Sequence, residues 1–593
     1  MTTETRSTTA GGIDYTAIDS AIGLNWYDAD PNLQQLVERM ALPEDRAFAE
    51  QHLRNMGGVI GGPIAARAEV TDKHPPSLEK YDASGNEINE VVHHPGALET
   101  KRDLWENGFI GLRWTEEVRR TRAGHLPSVV NSGFSYFLSQ AETGMLCAIG
   151  MTSSAAGIVD QHAPADVRER FLPHLTTMDY AEAWDGGMFL TEIRGGSDLA
   201  ASECGAVKSA DGWRVSGSKW FCSNLDAEAI LALARPEGAD PGLRGLALFL
   251  IPRRRRDGTR NGMHIRRLKD KLGTRAVPTG EVDFVDAEAY LMGREQGETA
   301  ARDGRGINRM MEMVQGSRAG IALMGLGIMR RSFLEAAIYA HHRTAFGRLI
   351  AEFPLVRETL VEMAVEVEAG CAIAFEMGEA GTRRDEESKR LYRILVPLAK
   401  LRCARRGLDL ASQAVEIHGG NGYIENWPVA RQLRDAQCHT IWEGTENIIC
   451  LDVLRSMTKE HADEALFARV ERALGGAEHP ALTNTASQVG RAVDEVKEAI
   501  AWLEHAPQEV RLLQARRLSN YMADVVQAGL LIEEAVWELA HKNSARKAIV
   551  ARYFVATRLT DRPLRGITSA DTTVLDFFEP IVRYQPVSPK AIG

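Results

Sequence analysis

A chain of 593 residues is long enough for several hydrophobic cores, and its 44% hydrophobic and 25% charged residues match a globular protein, which excludes a disordered or fibrous chain. The net charge of -11 argues against a general nucleic-acid binder, and no stretch approaches the ~18 apolar residues of a membrane span. Seven cysteines, scattered and never in a CxxC pair, argue against a disulfide framework or a zinc site, so a reduced cytoplasmic compartment is expected.

From the start, residues 1–12 are rich in Thr and Ser without an apolar run and read as a loose tail, not a signal peptide. Up to about Tyr180 the pattern is mainly helical, broken by polar connections such as 72–96. Near Asp185 the character changes. Asp211-Gly212 is a hairpin signal, and the runs 229–234, 246–251 and 281–285 suit a small sheet domain. Helical periodicity returns near Ile307 and predicts helices over 316–342, 354–378 and 386–418, the last two long enough to pack as a bundle. Gly325-Leu326-Gly327 lacks both the third glycine and the preceding strand of a dinucleotide fingerprint. Beyond Arg455 two stripes, Val489 to Leu503 and Leu518 to Leu539, step by fours and threes and predict two further packed helices. The domains read from this pattern are 1–180 helical, 181–298 β, 299–455 a helical bundle and 456–593 a helical extension.

Two basic runs stand out against the acidic whole. Residues 253–275 are opposed only by Asp257 and Asp270; the second run is Lys542, Arg546, Lys547, Arg552, Arg558, Arg562 and Arg565 against Asp561. A solvated face is the ordinary reading of such runs, and binding of phosphate groups, an acidic protein or nucleic acid is the alternative. Cys438-His439 is the sole adjacent soft-ligand pair and reads as packing.

Thr440-Ile441-Trp442-Glu443-Gly444-Thr445-Glu446-Asn447 sets one carboxylate among apolar side chains directly before a glycine. Poor solvation disfavours the charged form and raises basicity, as a general base requires. The same residues also read as a helix start capped by Thr445.

Four further segments carry a resemblance. Thr191-Glu192-Ile193-Arg194-Gly195-Gly196-Ser197-Asp198, Gly217-Ser218-Lys219-Trp220-Phe221-Cys222-Ser223-Asn224, Arg343-Thr344-Ala345-Phe346-Gly347 and His418-Gly419-Gly420-Asn421-Gly422-Tyr423 stand in order before Glu443-Gly444-Thr445. Helices, a small β domain and a helical bundle bearing these segments resemble the acyl-CoA dehydrogenase superfamily. The resemblance implies a mainly α fold with a helical N-terminal domain, a β-barrel-like middle domain, a four-helix bundle and here an extra C-terminal helical domain. It implies FAD, with Thr191 hydrogen-bonding the isoalloxazine, Phe221 covering the ring and Ser223 hydrogen-bonding. Arg343 and Phe346 would reach the dinucleotide of a neighbouring subunit, Gly419 and Gly420 would let it approach closely, and Thr445 and Asn447 would complete the cofactor contacts. Ser197 and Arg318 would lie on the substrate side. Glu443 would remove the α-proton of an acyl-CoA while the flavin accepts the β-hydrogen; relatives that carry the base earlier have a carboxylate where this chain has Ser317. No metal is implied.

Pro75 to Asp82 with His94-Pro95, Arg267 to Gly273, Ile441 to Gly444, and Cys450 to Arg455 resemble the AidB-type branch, as does the extension after Arg455. Pro354 stands where many members carry a flavin-contacting Gln, and Glu416 where a Gln precedes the Gly-Gly pair. The resemblance implies α,β-desaturation in fatty acid metabolism, an electron-transfer flavoprotein as partner and a homotetramer built as a dimer of dimers. Branch membership adds double-stranded DNA binding as an alternative, and an acyl-CoA oxidase is a third reading.

Overall fold

The computed structural model describes residues 8–9, 12–293, 301–561, 563–569 and 571–592. The expected tail over residues 1–12 falls largely outside them, as do the 298/299 domain boundary and Arg562 of the second basic run. The chain forms two compact units: Met1–Ala66, Pro127–Ala141 and Ile321–Gly593 make one, and Arg67–Leu126 with Glu142–Gly320 make the other. The segment 1–180 contributes to both.

The second unit is organised by a seven-stranded sheet whose pairing returns on itself. Thr279–Leu291 pairs with Gly212–Ser223, which pairs with Gly205–Ser209, then Ala229–Pro236, then Ala247–Pro252, and the last pairs again with Thr279–Leu291. Met263–Leu268 and Gly186–Phe189 join at the two edges. This ring of five strands is the small sheet domain that the pattern predicts, with the barrel-like form that the resemblance implies. Within Ala229–Pro236, residues 229–234 read as an unbroken apolar run because both faces of the strand are covered. Ile230, Ala232 and Ala234 face the core with Phe249 and Phe284, while Leu231 and Leu233 face Met151, Ala155 and Met310 from the helices. The hairpin turn falls on Ala210-Asp211, one residue before the signal, with Gly212 at φ +121°.

Gly186 marks where a helix meets the sheet. A Cβ there would stand 2.7 Å from the Ala155 Cβ and 2.9 Å from the Thr152 Cα. Gly186→Ala is therefore expected to lower stability by about 1–3 kcal/mol, read as a lower unfolding temperature, because neither neighbour can withdraw.

The polar connection expected over 72–96 holds structure of its own. Ser77–Tyr81 and Glu87–Val92 pair antiparallel. Asp82 nucleates the turn: its Oδ1 accepts from the backbone N–H of Ser84 at 2.8 Å and of Asn86 at 2.9 Å, and Gly85 takes φ +82°. The apolar residues of these strands, Leu78, Tyr81, Ile88, Val91 and Val92, do not alternate, so the period-2 signal is faint.

The first unit is helical, and Pro354–Thr382 and Glu386–His418 pack side by side in it. Gly325 belongs to the Gly306–His342 helix and serves a crossing: a Cβ there would lie 2.5 Å from the Cys403 carbonyl. The two stripes after Arg455 lie on Pro480–His505 and Gln508–Lys542, followed by Arg546–Arg558.

Arg546 and Lys547 correct the anion-patch reading. They are 3% and 1% exposed and point inward. The Arg546 guanidinium bonds both carboxylate oxygens of Glu368, and the Lys547 ammonium lies 2.7 Å from Glu368 and 2.5 Å from Glu534. Arg558 pairs with Glu366 and Lys542 with Glu38. Arg546, Lys547 and Arg558 hold the extension against the bundle, and the buried Arg546 and Lys547 cannot meet DNA phosphates, while Lys542, Arg552 and Arg565 of the same run are exposed. The 253–275 run is partly neutralised, with Arg256 on Asp166, Arg266 on Asp283, and Arg267 and Lys269 on Glu281.

Among the described residues no helix is long and apolar enough to cross a membrane.

Candidate active site

The sheet unit carries the first two motif segments side by side. Thr191 follows the Gly186–Phe189 strand, and its carbonyl accepts the Trp220 N–H at 2.9 Å. The next residues turn back on themselves, Gly195 N–H donating to Glu192 O at 2.9 Å. A Cβ at Gly196 would stand 2.7 Å from the Thr191 hydroxyl oxygen, so glycine is what lets the loop close over Thr191. Ser197 is exposed on this loop. Phe221 is 55% exposed on the neighbouring strand, and the Ser223 hydroxyl lies 3.0 Å from that of Thr279.

Beneath them lies a pair to which the sequence reading assigned no role. Lys219, 1% exposed, donates to Glu192 Oε1 at 2.6 Å, and Glu192 Oε2 accepts the Glu203 N–H at 2.6 Å. Burial pushes the Glu192 carboxyl up, but the Lys219 charge and these hydrogen bonds outweigh it and hold it below the ordinary value. The signal was strand parity, because Trp213, Val215 and Lys219 fall on the same inward side. Lys219→Met leaves a buried carboxylate without its cation. It is expected to destabilise the protein by about 3–5 kcal/mol in denaturant unfolding at neutral pH. Lys269 completes this surface, its ammonium 3.9 Å from the Trp220 ring centre and 4.7 Å from that of Phe221. Arg318 is buried in the Gly306–His342 helix.

In the helical unit, Thr344–Ala345 and Arg348–Leu349 form a two-residue hairpin around Phe346 and Gly347. Both central residues have positive φ, +51° and +80°. A phenylalanine in the left-handed region is uncommon, and here the strain presents the ring to solvent at 97% exposure. Arg343 is exposed at the foot of the hairpin. One helical turn earlier Tyr339 stacks on His418 at 4.2 Å, and its hydroxyl accepts from the Asn421 amide at 3.2 Å. The Arg343 to Gly347 and Gly419 to Tyr423 segments are thereby neighbours. Gly419 and Gly420 are exposed, with no heavy atom within 4 Å of where a Cβ would stand.

Glu443 occupies the turn between Pro428–His439 and Glu446–Glu460. The N–H groups of Ile441 and Trp442 both donate to Cys438 O at 3.0 Å, ending the first helix, and Thr445 caps the second by position. Glu443 has φ +54° and Gly444 φ +111°. The left-handed conformation costs a non-glycine residue roughly 1–2 kcal/mol, strain of the kind that collects at functional sites. The apolar enclosure expected around Glu443 is only partial: Ile441 is 56% exposed, and Trp442 and Glu443 are half-buried. The cap reading and the base reading are compatible, since Glu443 precedes the capping residue. Asn447 lies in the first turn of the second helix, where its side-chain oxygen accepts from Arg516.

Residues 19–182 match the AidB N-terminal domain, 187–287 the acyl-CoA dehydrogenase middle domain, and 304–458 the acyl-CoA dehydrogenase C-terminal domain. The chain is 33% identical to the putative acyl-CoA dehydrogenase AidB of Escherichia coli over 446 residues, 74% of this chain and 78% of that one. It is 30% identical to acyl-CoA dehydrogenase family member 11 of Caenorhabditis elegans over 535 residues, 86% and 84% of the two chains. The crystal structure of that nematode's ACDH-11 in complex with C11-CoA superposes with a TM-score of 0.82 at 27% identity, covering 95% of this chain and 94% of the other. The chain belongs to the acyl-CoA dehydrogenase family, in its AidB-type branch.

Proposed function

We propose that this protein is an FAD-dependent acyl-CoA dehydrogenase in which Glu443 takes the α-proton of an acyl-CoA thioester. The observation that carries the reading is Glu443 itself, a half-buried carboxylate held in a left-handed conformation at a helix-to-helix turn. The C11-CoA bound to the nematode relative supports a thioester as substrate class.

The residues fit FAD. Two aromatic rings, Phe221 and Phe346, are exposed, and Gly419 and Gly420 leave open backbone. Thr191, Phe221 and Ser223 of the sheet unit would hold the isoalloxazine. Arg343, Phe346, Gly419 and Gly420 would hold the dinucleotide, the arginine fork matching its phosphate oxygens. Thr445 and Asn447 would add contacts at the start of the Glu446–Glu460 helix. FAD, when bound, supplies the acceptor for the β-hydrogen. Ser197 and Arg318 serve the substrate side. Glu443 receives the α-proton on its carboxylate, and the half-buried Trp442 beside it limits solvation of that charge. Electrons then leave to an electron-transfer flavoprotein, in cytoplasmic fatty acid metabolism. The exposed Phe346 hairpin serves a neighbouring subunit in a homotetramer.

Purified protein loaded with FAD is mixed anaerobically with a panel of acyl-CoA thioesters that includes the C11 compound. Bleaching of the flavin by at least one of them is expected. A protein that holds FAD and bleaches with none is not a dehydrogenase of these substrates, and stoichiometric peroxide release in air moves the assignment to an oxidase.

A further inference from the structure

The turn that carries Glu443 is held by a residue outside every motif. Lys400 lies midway along the Glu386–His418 helix, 1% exposed, and its ammonium donates to the Gly444 carbonyl at 2.5 Å. Five residues on, Arg405 reaches Glu446 at 2.5 Å, so one helix grips the turn on both sides of Thr445. Next to the turn, His439 is fully buried. Burial above all, with the Lys400 charge adding to it, pulls its pKa down to about 3, so at neutral pH it adds no second positive charge beside the lysine.

Moving an ammonium out of water is costly, and a lysine kept there against a backbone carbonyl does work that an apolar residue would not. Glu443 and Gly444 both have positive φ, and glycine is the most pliable link in a chain. Without a hold on its carbonyl, Gly444 swivels and the carboxylate before it changes direction. We propose that Lys400 is a positioning residue for the proton-abstraction step, pinning the Gly444 carbonyl so that the left-handed conformation of Glu443, and with it the aim of its carboxylate, is kept. This rests on Glu443 being the base.

The test compares Lys400→Met, which has no donor, Lys400→Gln, which keeps an N–H donor without charge, and both Glu443→Gln and the Glu443→Gln/Lys400→Met double variant. FAD content, the acyl-CoA concentration at half-effect and the single-turnover bleaching rate are measured for each. Lys400→Met is expected to keep FAD and its half-effect concentration within about threefold while bleaching about 100-fold more slowly, the penalty of a base misplaced by about an ångström. Lys400→Gln is expected to bleach within about tenfold of the parent, and in the Glu443→Gln background Lys400→Met is expected to change the residual rate by less than about threefold, because its effect passes through Glu443.

Bleaching by Lys400→Met at the parental rate beside an inactive Glu443→Gln overturns the positioning role and leaves the base assignment standing. Glu443→Gln that bleaches like the parent overturns the base assignment itself. Equal slowing of the Met and Gln variants, or loss of FAD from Lys400→Met, assigns the lysine to folding and overturns the proposal.

Discussion

Glu443→Gln is expected to keep its FAD and to bleach about 10³-fold more slowly with acyl-CoA, the usual loss when a positioned general base is removed. The substitution leaves the backbone of the turn in place. Glutamine has the shape of glutamate and meets the left-handed backbone at the same steric cost. The turn's backbone hydrogen bonds to Cys438 and the Lys400 bond to Gly444 do not involve the Glu443 carboxylate. What disappears is the ability to take a proton. Anaerobic stopped-flow absorbance follows the loss, and FAD content measured on the same sample separates it from loss of cofactor. Bleaching within tenfold of the parent would place the base elsewhere, and Ser317, where some relatives carry a carboxylate, has none to offer.

Glu368→Gln is expected to lower stability by about 3–5 kcal/mol, as measured by chemical denaturation at neutral pH. Glu368 is fully buried and takes the charges of both Arg546 and Lys547. Removing it takes from Arg546 the carboxylate it grips and leaves Lys547 with Glu534, which Arg39 also approaches at 3.6 Å. A pH profile gives a second readout. Burial raises the Glu368 carboxyl pKa, but Arg546 and Lys547 more than offset this and hold it at about 2, below its ordinary 4.5. A carboxylate depressed in the folded state contributes its stabilisation in full above 4.5 and loses it as pH falls from there through about 2. The parent therefore loses stability across that window more steeply than the variant. Equal slopes would show that the extension is not held to the bundle through this carboxylate.

Much of the fold was legible because it rests on local periodicity. The 386–418 helix was readable end to end: Asp385 caps its start by accepting the Ser388 N–H, and Gly419 at φ +58° ends it. The Ala229–Pro236 strand was legible as an apolar run. The hairpin over Ser77–Val92 was not, because its signal lies in an aspartate side chain closing a turn, with little apolar alternation beside it. Arg546 and Lys547 misled for a different reason. A run of basic residues looks solvated until the carboxylates that face it are known, and Glu368 lies some 180 positions earlier in the chain.

The candidate site divides in the same way. Glu443 was singled out by its apolar setting before a glycine, and the resemblance carried by the ordered segments added Thr191, Phe221, Arg343 and the Gly419-Gly420 pair. Composition and periodicity likewise determined a helical protein with a small sheet domain. Only the tertiary structure decided which charges are buried together: Lys219 with Glu192 under the first segment, Lys400 under the Glu443 turn, and Arg546 and Lys547 with Glu368. The physical reason is that the energy of a charge depends on what surrounds it within a few ångströms, and those neighbours are assembled from positions far apart in the chain.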